Sequence, residues 1–282
     1  MQRRTAGTAS GREVWGRSDG WKDQNVNDTW DPQTYGRFEA ERRQPFDDLL
    51  ALVTPCPGGR VVDLGCGTGA LTAELHQRSG ASETLGIERS AAMLERAEPG
   101  PGLRFEAGDI EGFAGSGIDV VFSNAALQWV SDHPALLARL VSSLAPGGQL
   151  AFQVPANYDH PSHVLAQRMA RQEPYFSAFG GQPPPDRDDT VLAPEAYAEL
   201  LDGLAAVELH VRLQVYGHHL ASAAEVVTWV RGTLLTPFQA ALDEATWAAF
   251  LADYGQRLAR KLGTAEPYFY PFKRILVRAL FP

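Results

Sequence analysis

VVDLGCGTGA, Val61 to Ala70, decides the fold. Aliphatic, β-branched residues run straight into three glycines, Gly65, Gly67 and Gly69. The run predicts a buried strand, and the glycines predict a tight turn that only residues without a side chain enter freely. The helix-period segment GALTAELHQR follows. Strand, glycine turn and helix together form a cradle in which backbone and helix N-terminus approach a ligand closely. Read as G-x-G-x-x-A (Gly65, Gly67, Ala70), the turn satisfies the dinucleotide fingerprint. The same stretch places Asp63 two residues before the first glycine, where a diphosphate would be repelled.

Outward from this stretch the pattern repeats. RVVDLG is strand one, and ETLGIE is strand two, ending at Glu88. LRFEAGD is strand three, IDVVFS strand four and QLAFQV strand five. SAAMLERAEPG, with a Ser90 cap and a Pro-Gly stop, and HPALLARLVSSLAPGG are intervening helices. AERRQPFDDLLALV (Ala40–Val53) is a helix ahead of strand one. After Pro155 the rhythm changes. HPSHVLAQRMARQ and APEAYAELLDGL read as helices flanking a Gly/Pro-rich loop, FSAFGGQPPPDRDD. AVELHVRLQVYGHHL is strand six, AAEVVTWVRGTLL and EATWAAFLADYGQRLARKL are amphipathic helices, and FKRILVRALF is the last strand. The predicted fold is α/β: a doubly wound, mostly parallel seven-stranded sheet with a helical lid. Residues 1–27 are expected as a flexible arm. Residues 28–282 are expected as one domain, with lid segments at about 28–53, 155–204 and 217–268.

Composition narrows the function classes. The chain has 282 residues, 44% hydrophobic and 21% charged, and a formal net charge of −9. No Lys/Arg stripe is present, which argues against a nucleic-acid partner. No apolar run reaches the roughly 18 residues of a spanning helix, so no membrane partner is expected. The basic N-terminus lacks the apolar core of a signal peptide. Two cysteines, Cys56 and Cys66, are too few for a disulfide scaffold, and a cytoplasmic location is expected. His160-x-x-His163 has ligand-like spacing without a third ligand, so no metal is expected.

Three features near the strand ends test the choice among nucleotide-like ligands. Glu88 can accept both hydroxyls of a ribose, as in dinucleotide enzymes, and Arg89 follows it. Asp109, in AGDI, can accept from an adenine amine while the backbone of Ile110 serves the ring. Asp63 favours a cationic ligand over a phosphate. Asn124, after strand four, can donate and accept beside the ligand's polar end. Met93 is a candidate to pack on an adenine. Asp63, Gly65, Gly67, Glu88, Arg89, Asp109, Ile110 and Asn124 are therefore the predicted cofactor residues.

The order D-x-G-x-G-x-G, then the acid of strand two, then Gly-Asp-Ile, resembles the class I methyltransferases that use S-adenosylmethionine (SAM). That resemblance covers about residues 60–154. It implies a Rossmann-like fold, SAM as cofactor and S-adenosylhomocysteine as product. Longer stretches, WDPQTYGRFEAERRQP, SNAALQWVSDH, LVSSLAPGGQLAFQVPANYDHPSHVL and VYGHHL, resemble the trans-aconitate 2-methyltransferase family over most of residues 28–281. That family monomethylates a carboxylate of a small tricarboxylic acid. The resemblance implies a small-molecule acceptor held by Tyr35, Arg42, Asn157, His163, Tyr216, His218 and Arg231. Phe38, Glu41, Pro45 and Pro161 match as well. Gln44 and Thr236 stand where the pattern has arginines, Arg231 lying upstream of the latter.

Methyl transfer to a carboxylate needs positioning but no base, because a carboxyl group with ordinary pKa near 4 is already anionic at neutral pH. A phenol or alcohol would need one, for which His163 and His218 are the candidates. O-methylation of a carboxylate is the expected reaction. Methylation of a phenol, alcohol or carbon nucleophile is the alternative. A SAM-binding protein without turnover and an NAD-linked oxidoreductase are the readings from other classes.

Overall fold

The computed structural model describes residues 39–186 and 190–282, with side chains from Arg43 onward. Helix α1 (Glu39–Leu50) precedes β1 (Arg60–Leu64), α2 (Ala70–Ser79), β2 (Glu83–Glu88), the single turn α3 (Ala91–Leu94), β3 (Leu103–Ala107) and β4 (Ile118–Asn124). Then follow α4 (His133–Ser142), β5 (Leu144–Pro155), α5 (Pro161–Ala170), α6 (Tyr175–Ala178), α7 (Pro194–Gly203) and β6 (Glu208–Leu220). The last elements are α8 (Glu225–Arg231), α9 (Thr236–Ala241), α10 (Glu244–Leu262) and β7 (Tyr268–Leu280).

The seven strands form one sheet in the order β3-β2-β1-β4-β5-β7-β6. β1 to β5 pair in parallel, and β7 enters antiparallel between β5 and β6. The order reverses between β1 and β4, so the switch point lies where VVDLG ends. β1 is buried along almost its whole length, as expected of a strand covered on both faces.

One face of the sheet is packed by α1: Phe46, Leu49, Leu50 and Val53 lie in one cluster with Val61, Val120, Phe122 and Leu276. The Phe46 and Phe122 rings meet edge to face at 5.8 Å. The opposite face packs Leu136, Leu137 and Leu140 of α4 and Tyr197 and Leu201 of α7. A second core stands apart. Met169 of α5, Tyr175 of α6, Trp229 of α8, Phe238 of α9 and Phe250, Tyr254 and Leu258 of α10 close on Leu220, Tyr270 and Phe272 at the β6–β7 end. This is the helical layer expected after strand five.

Two segments expected in that layer do other work. The described part of 28–53, helix α1, covers a sheet face, because Phe46, Leu49 and Leu50 recur at helical spacing and are buried there. In 155–204, the C-terminal part is α7, and Tyr197 and Leu201 seat it on the other face. Three boundaries also moved. α3 is a single turn with no buried residue, so tertiary packing does not extend it. β5 begins at Leu144 and runs through Pro146 and Gly147, with a register shift against Ile118 and Val120 before Gln149. β7 begins at Tyr268, so the aromatic run Tyr268–Phe272 is strand, paired with Tyr216 to Leu220. The expected arm, 1–27, lies outside the described residues.

Candidate cofactor and acceptor site

The glycine turn is built by close approach. Gly65, Gly67 and Gly69 have φ of 78°, 58° and 77°. A Cβ on Gly65 would stand 2.2 Å from Cβ of Ala126, at the end of β4. Gly65 and Cys66 both donate their N–H to the Ile87 carbonyl, at 2.8 and 3.0 Å, binding the turn to β2. Cys66 itself is buried and its thiol pushed far up by desolvation, so it stays a protonated, inert thiol.

Two carboxylates flank this turn. Glu88 accepts from the N–H of Gly67 at 3.0 Å with Oε2, and from Arg89 and Ser90 at 2.9 Å each with Oε1. A carboxylate has about four acceptor sites, so Glu88 keeps capacity while being held rigid. Asp63 is buried beneath the turn. Its Oδ2 accepts from the Thr72 hydroxyl at 2.6 Å, while Oδ1 is buried and makes no hydrogen bond among the described residues. Desolvation, against the Thr72 bond and with Glu88 adding repulsion, lifts the Asp63 carboxyl to about 7. An orphaned buried carboxylate oxygen beside a second acid asks for a cation and repels a diphosphate. The donor set therefore fits SAM, with its ammonium and sulfonium, and not a dinucleotide.

At the next strand ends, Asp109 Oδ1 accepts from Glu111 N–H at 2.9 Å and Oδ2 lies 3.8 Å from the Arg89 guanidinium. Ile110 packs toward Gly65, and Met93 Sδ lies 3.5 Å from the Cβ position of Gly67. The predicted cofactor residues thus share the carboxyl ends of β1 to β4.

The predicted acceptor residues divide. Tyr35 and the Arg42 side chain lie outside the described residues. Asn157 is fully buried: Nδ2 donates to the Tyr270 hydroxyl at 3.3 Å and Oδ1 accepts from Lys273 N–H at 2.9 Å. Both ends of its amide thus tie the segment after β5 to β7. Tyr216 is buried, and its hydroxyl donates to Asp48 of α1 at 2.8 Å. His218 packs its ring 4.9 Å from Trp229. His163 opens α5 beside Ser162 and Tyr158. Burial, with His160 adding repulsion, lowers His163 to about 3, far below the working range expected of a base. His160 caps α5 by accepting from Ser162 N–H at 3.2 Å, a structural use of the residue with ligand-like spacing. Arg231, in the last turn of α8, is exposed to solvent.

Tertiary structure also reveals a polar row that sequence inspection missed. Gln153 Nε2 donates to Asn124 Oδ1 at 2.6 Å, and Arg274 Nη1 donates to Gln153 Oε1 at 3.1 Å. The row follows the sheet order β4, β5, β7 and runs along the carboxyl edge from the cofactor cradle toward Tyr216. Its only signal in the sequence is a charged pair, Lys273-Arg274, inside the apolar run of the last strand.

Comparison with known proteins agrees with this geometry. A family model described as a methyltransferase domain matches residues 37–187. A trans-aconitate 2-methyltransferase of Deinococcus radiodurans is 46% identical over 264 residues, 90% of this chain and 99% of that protein. One from Variovorax paradoxus is 42% identical over 88% of this chain and 94% of its own. The chain belongs to the trans-aconitate 2-methyltransferase family. This methyltransferase therefore uses SAM as its cofactor. Among solved structures, the YcgJ protein of Bacillus subtilis shares the fold at a TM-score of 0.54 and 13% identity, over 85% of this chain and 98% of that one. A phosphoethanolamine N-methyltransferase 2 of Haemonchus contortus in complex with SAM shares it at 0.52 and 16% identity over 85% of this chain. The methyltransferase spans about half the length of that chain, 52%. Among the described residues no helix is long and apolar enough to cross a membrane.

Proposed function

We propose that this methyltransferase esterifies a carboxylate of a small polycarboxylic acid, trans-aconitate being the first candidate. One observation carries the choice of nucleophile: His163, the candidate base after β5, is buried and held near 3. A histidine that weakly basic is a poor acceptor for the proton of a phenol or alcohol at neutral pH, which favours an acceptor that arrives as an anion. A carboxylate does. The identity to trans-aconitate 2-methyltransferases supports the same class.

Asp63 and the Gly65–Gly67 turn would hold the methionine end of SAM, Glu88 the ribose, and Asp109 with Ile110 the adenine. Bound SAM supplies an electrophilic methyl on a sulfonium. The chain's own part is positioning and desolvation. Asn124 orients groups at the end of β4, and the aromatic core of Trp229, Phe238, Phe250 and Tyr254 keeps water from that edge. Dry surroundings favour the reaction because carboxylate and sulfonium lose their charges together. We place Tyr35, Arg42, His163, Tyr216 and His218 around the acceptor, with residues 28–282 as one domain behind an N-terminal arm, in the cytoplasm and without a nucleic-acid partner.

The test is ester formation from trans-aconitate, other acids and a set of phenols at saturating SAM. Ester with the acids and none with the phenols is expected, with kcat flat between pH 6 and 8. His163→Ala should lower kcat modestly and leave the profile flat. An ascending limb near pH 6.5 that vanishes in this variant would return the phenol or alcohol reading.

A further inference from the structure

We propose that the outer edge of β6 is the interface of a twofold homodimer, in which two copies pair their edge strands antiparallel and one sheet runs through both. β6 ends the sheet, and among the described residues it pairs with β7 alone. It is a long edge, Glu208–Leu220, in unbroken register with β7. The direction of its backbone groups follows from β7. Lys273 turns both of its groups toward the β5 side: its carbonyl accepts from Ala156 N–H at 3.0 Å, and its N–H donates to Asn157 Oδ1 at 2.9 Å. Val215 lies opposite Lys273, so its N–H and C=O point outward, away from β7. By alternation Leu209, Val211 and Leu213 do the same. Gln214 Nε2 covers one group of this row, the Val215 carbonyl, at 3.3 Å.

An edge of this length is ordinarily blunted by a charge, a proline or a bulge. From Val207 to Val215 the outward row carries none. Val207, Leu209, Leu213 and Val215 are 38–62% exposed. α7 leaves them open because its Tyr197 seats on β5, with the ring 5.3 Å from that of Phe152, and only Val211 of the row packs against that core. The row is self-complementary. A twofold axis at Val211 sets Leu209 against Leu213, and Val207 against Val215, of the second copy, so each exposed apolar residue of the row meets another. The alternate row fits the same register. Arg212 makes no hydrogen bond or ion pair among the described residues, and its Nε is buried without a partner. The axis brings it opposite His210 of the second copy and diagonal to Glu208, whose side chain is 64% exposed beside its pairing with Arg278. An axis one residue further on, at Arg212, would set that arginine against its own copy. The exposed apolar side chains offer about 350 Å² per copy, and the polar row and the ladder carry the two copies together past the roughly 1,000 Å² of a specific interface.

The experiment reads the mass of the full chain by light scattering and sedimentation, from about 1 to 100 µM. Wild type should be a dimer over the upper part of this range. Leu213→Lys and Val215→Lys, each placing a charge in the apolar row, should weaken dimerisation about 10-fold or more. SAM affinity by calorimetry should be unchanged in both, which shows them folded. Val164→Lys, on an exposed apolar residue of α5, should leave the dimer as it is. Register is read by disulfide capture in a Cys56→Ser background. Leu209→Cys and Leu213→Cys, mixed and oxidised, should link to each other, and neither should link to itself. This arm carries the test if a lysine variant fails to bind SAM. A wild type that is monomeric throughout the range would overturn the assignment. So would a dimer indifferent to both lysines of the row or weakened as much by Val164→Lys, or cysteines that link only to their own kind.

Discussion

Glu88 fastens the glycine turn through Gly67, and it is the residue proposed above to take the ribose. Glu88→Ala should weaken SAM by about 1.5–3 kcal/mol, the range for a lost hydrogen bond to a charged group. Calorimetry reads this directly, and unchanged affinity would remove the ribose assignment. Asp63 behaves differently because it is buried. Its carboxyl, lifted to about 7 from 3.8, favours the folded state while protonated. That contribution is complete below the ordinary pKa near 4 and is lost as pH rises through 7. The unliganded protein should therefore lose thermal stability from pH 5 to pH 8, and Asp63→Asn should flatten that slope. SAM, bringing positive charge, should bind the ionised form better, so its affinity should rise over the same interval in wild type and not in the variant. A SAM affinity independent of pH in wild type would contradict the pairing. Identity and spacing sufficed to single out both acids. Neither spacing nor composition could show that Asp63 would be sealed under the turn, because its burial depends on the packing of α2 and β4 against β1.

At the scale of elements, the turn after β1 succeeds because β4 comes back so close. Gly65→Ala would push a methyl to 2.2 Å from Cβ of Ala126 at a φ of 78°. The variant should lose both stability and SAM binding, whereas Gly147→Ala, which also has a positive φ but open space around it, should lose stability alone. Urea unfolding and calorimetry separate the two effects. The acceptor side was less legible at this scale. Asn157, Tyr216 and His218 come forward only through the family resemblance, and each is engaged by another element: Tyr270 and Lys273, Asp48, and Trp229. Arg274 escaped notice. Inside FKRILVRALF no local pattern singles it out, and only the insertion of β7 between β5 and β6 buries it beside Gln153.

Across the whole molecule, the carboxyl edge separates a parallel sheet from a second aromatic core, and SAM is expected to lie near their junction. Ligand that binds only the folded state stabilises it by about 2.7 kcal/mol at 100 times its dissociation constant. SAM should therefore raise the melting temperature and NAD should not, since the buried Asp63 carboxylate beneath the glycine turn would repel a diphosphate placed over it. Equal shifts would reopen the dinucleotide reading of the glycine turn. The sequence by itself determined the sheet and its order of elements and singled out the candidate cofactor residues, because those follow from local rules: hydrophobic period, glycine at positive φ, and an acid at a strand end. Tertiary structure alone decided which polar side chains are buried and what they touch. Burial, pKa and the cross-strand row Asn124–Gln153–Arg274 come from contacts between residues up to 121 positions apart, and no local pattern records them.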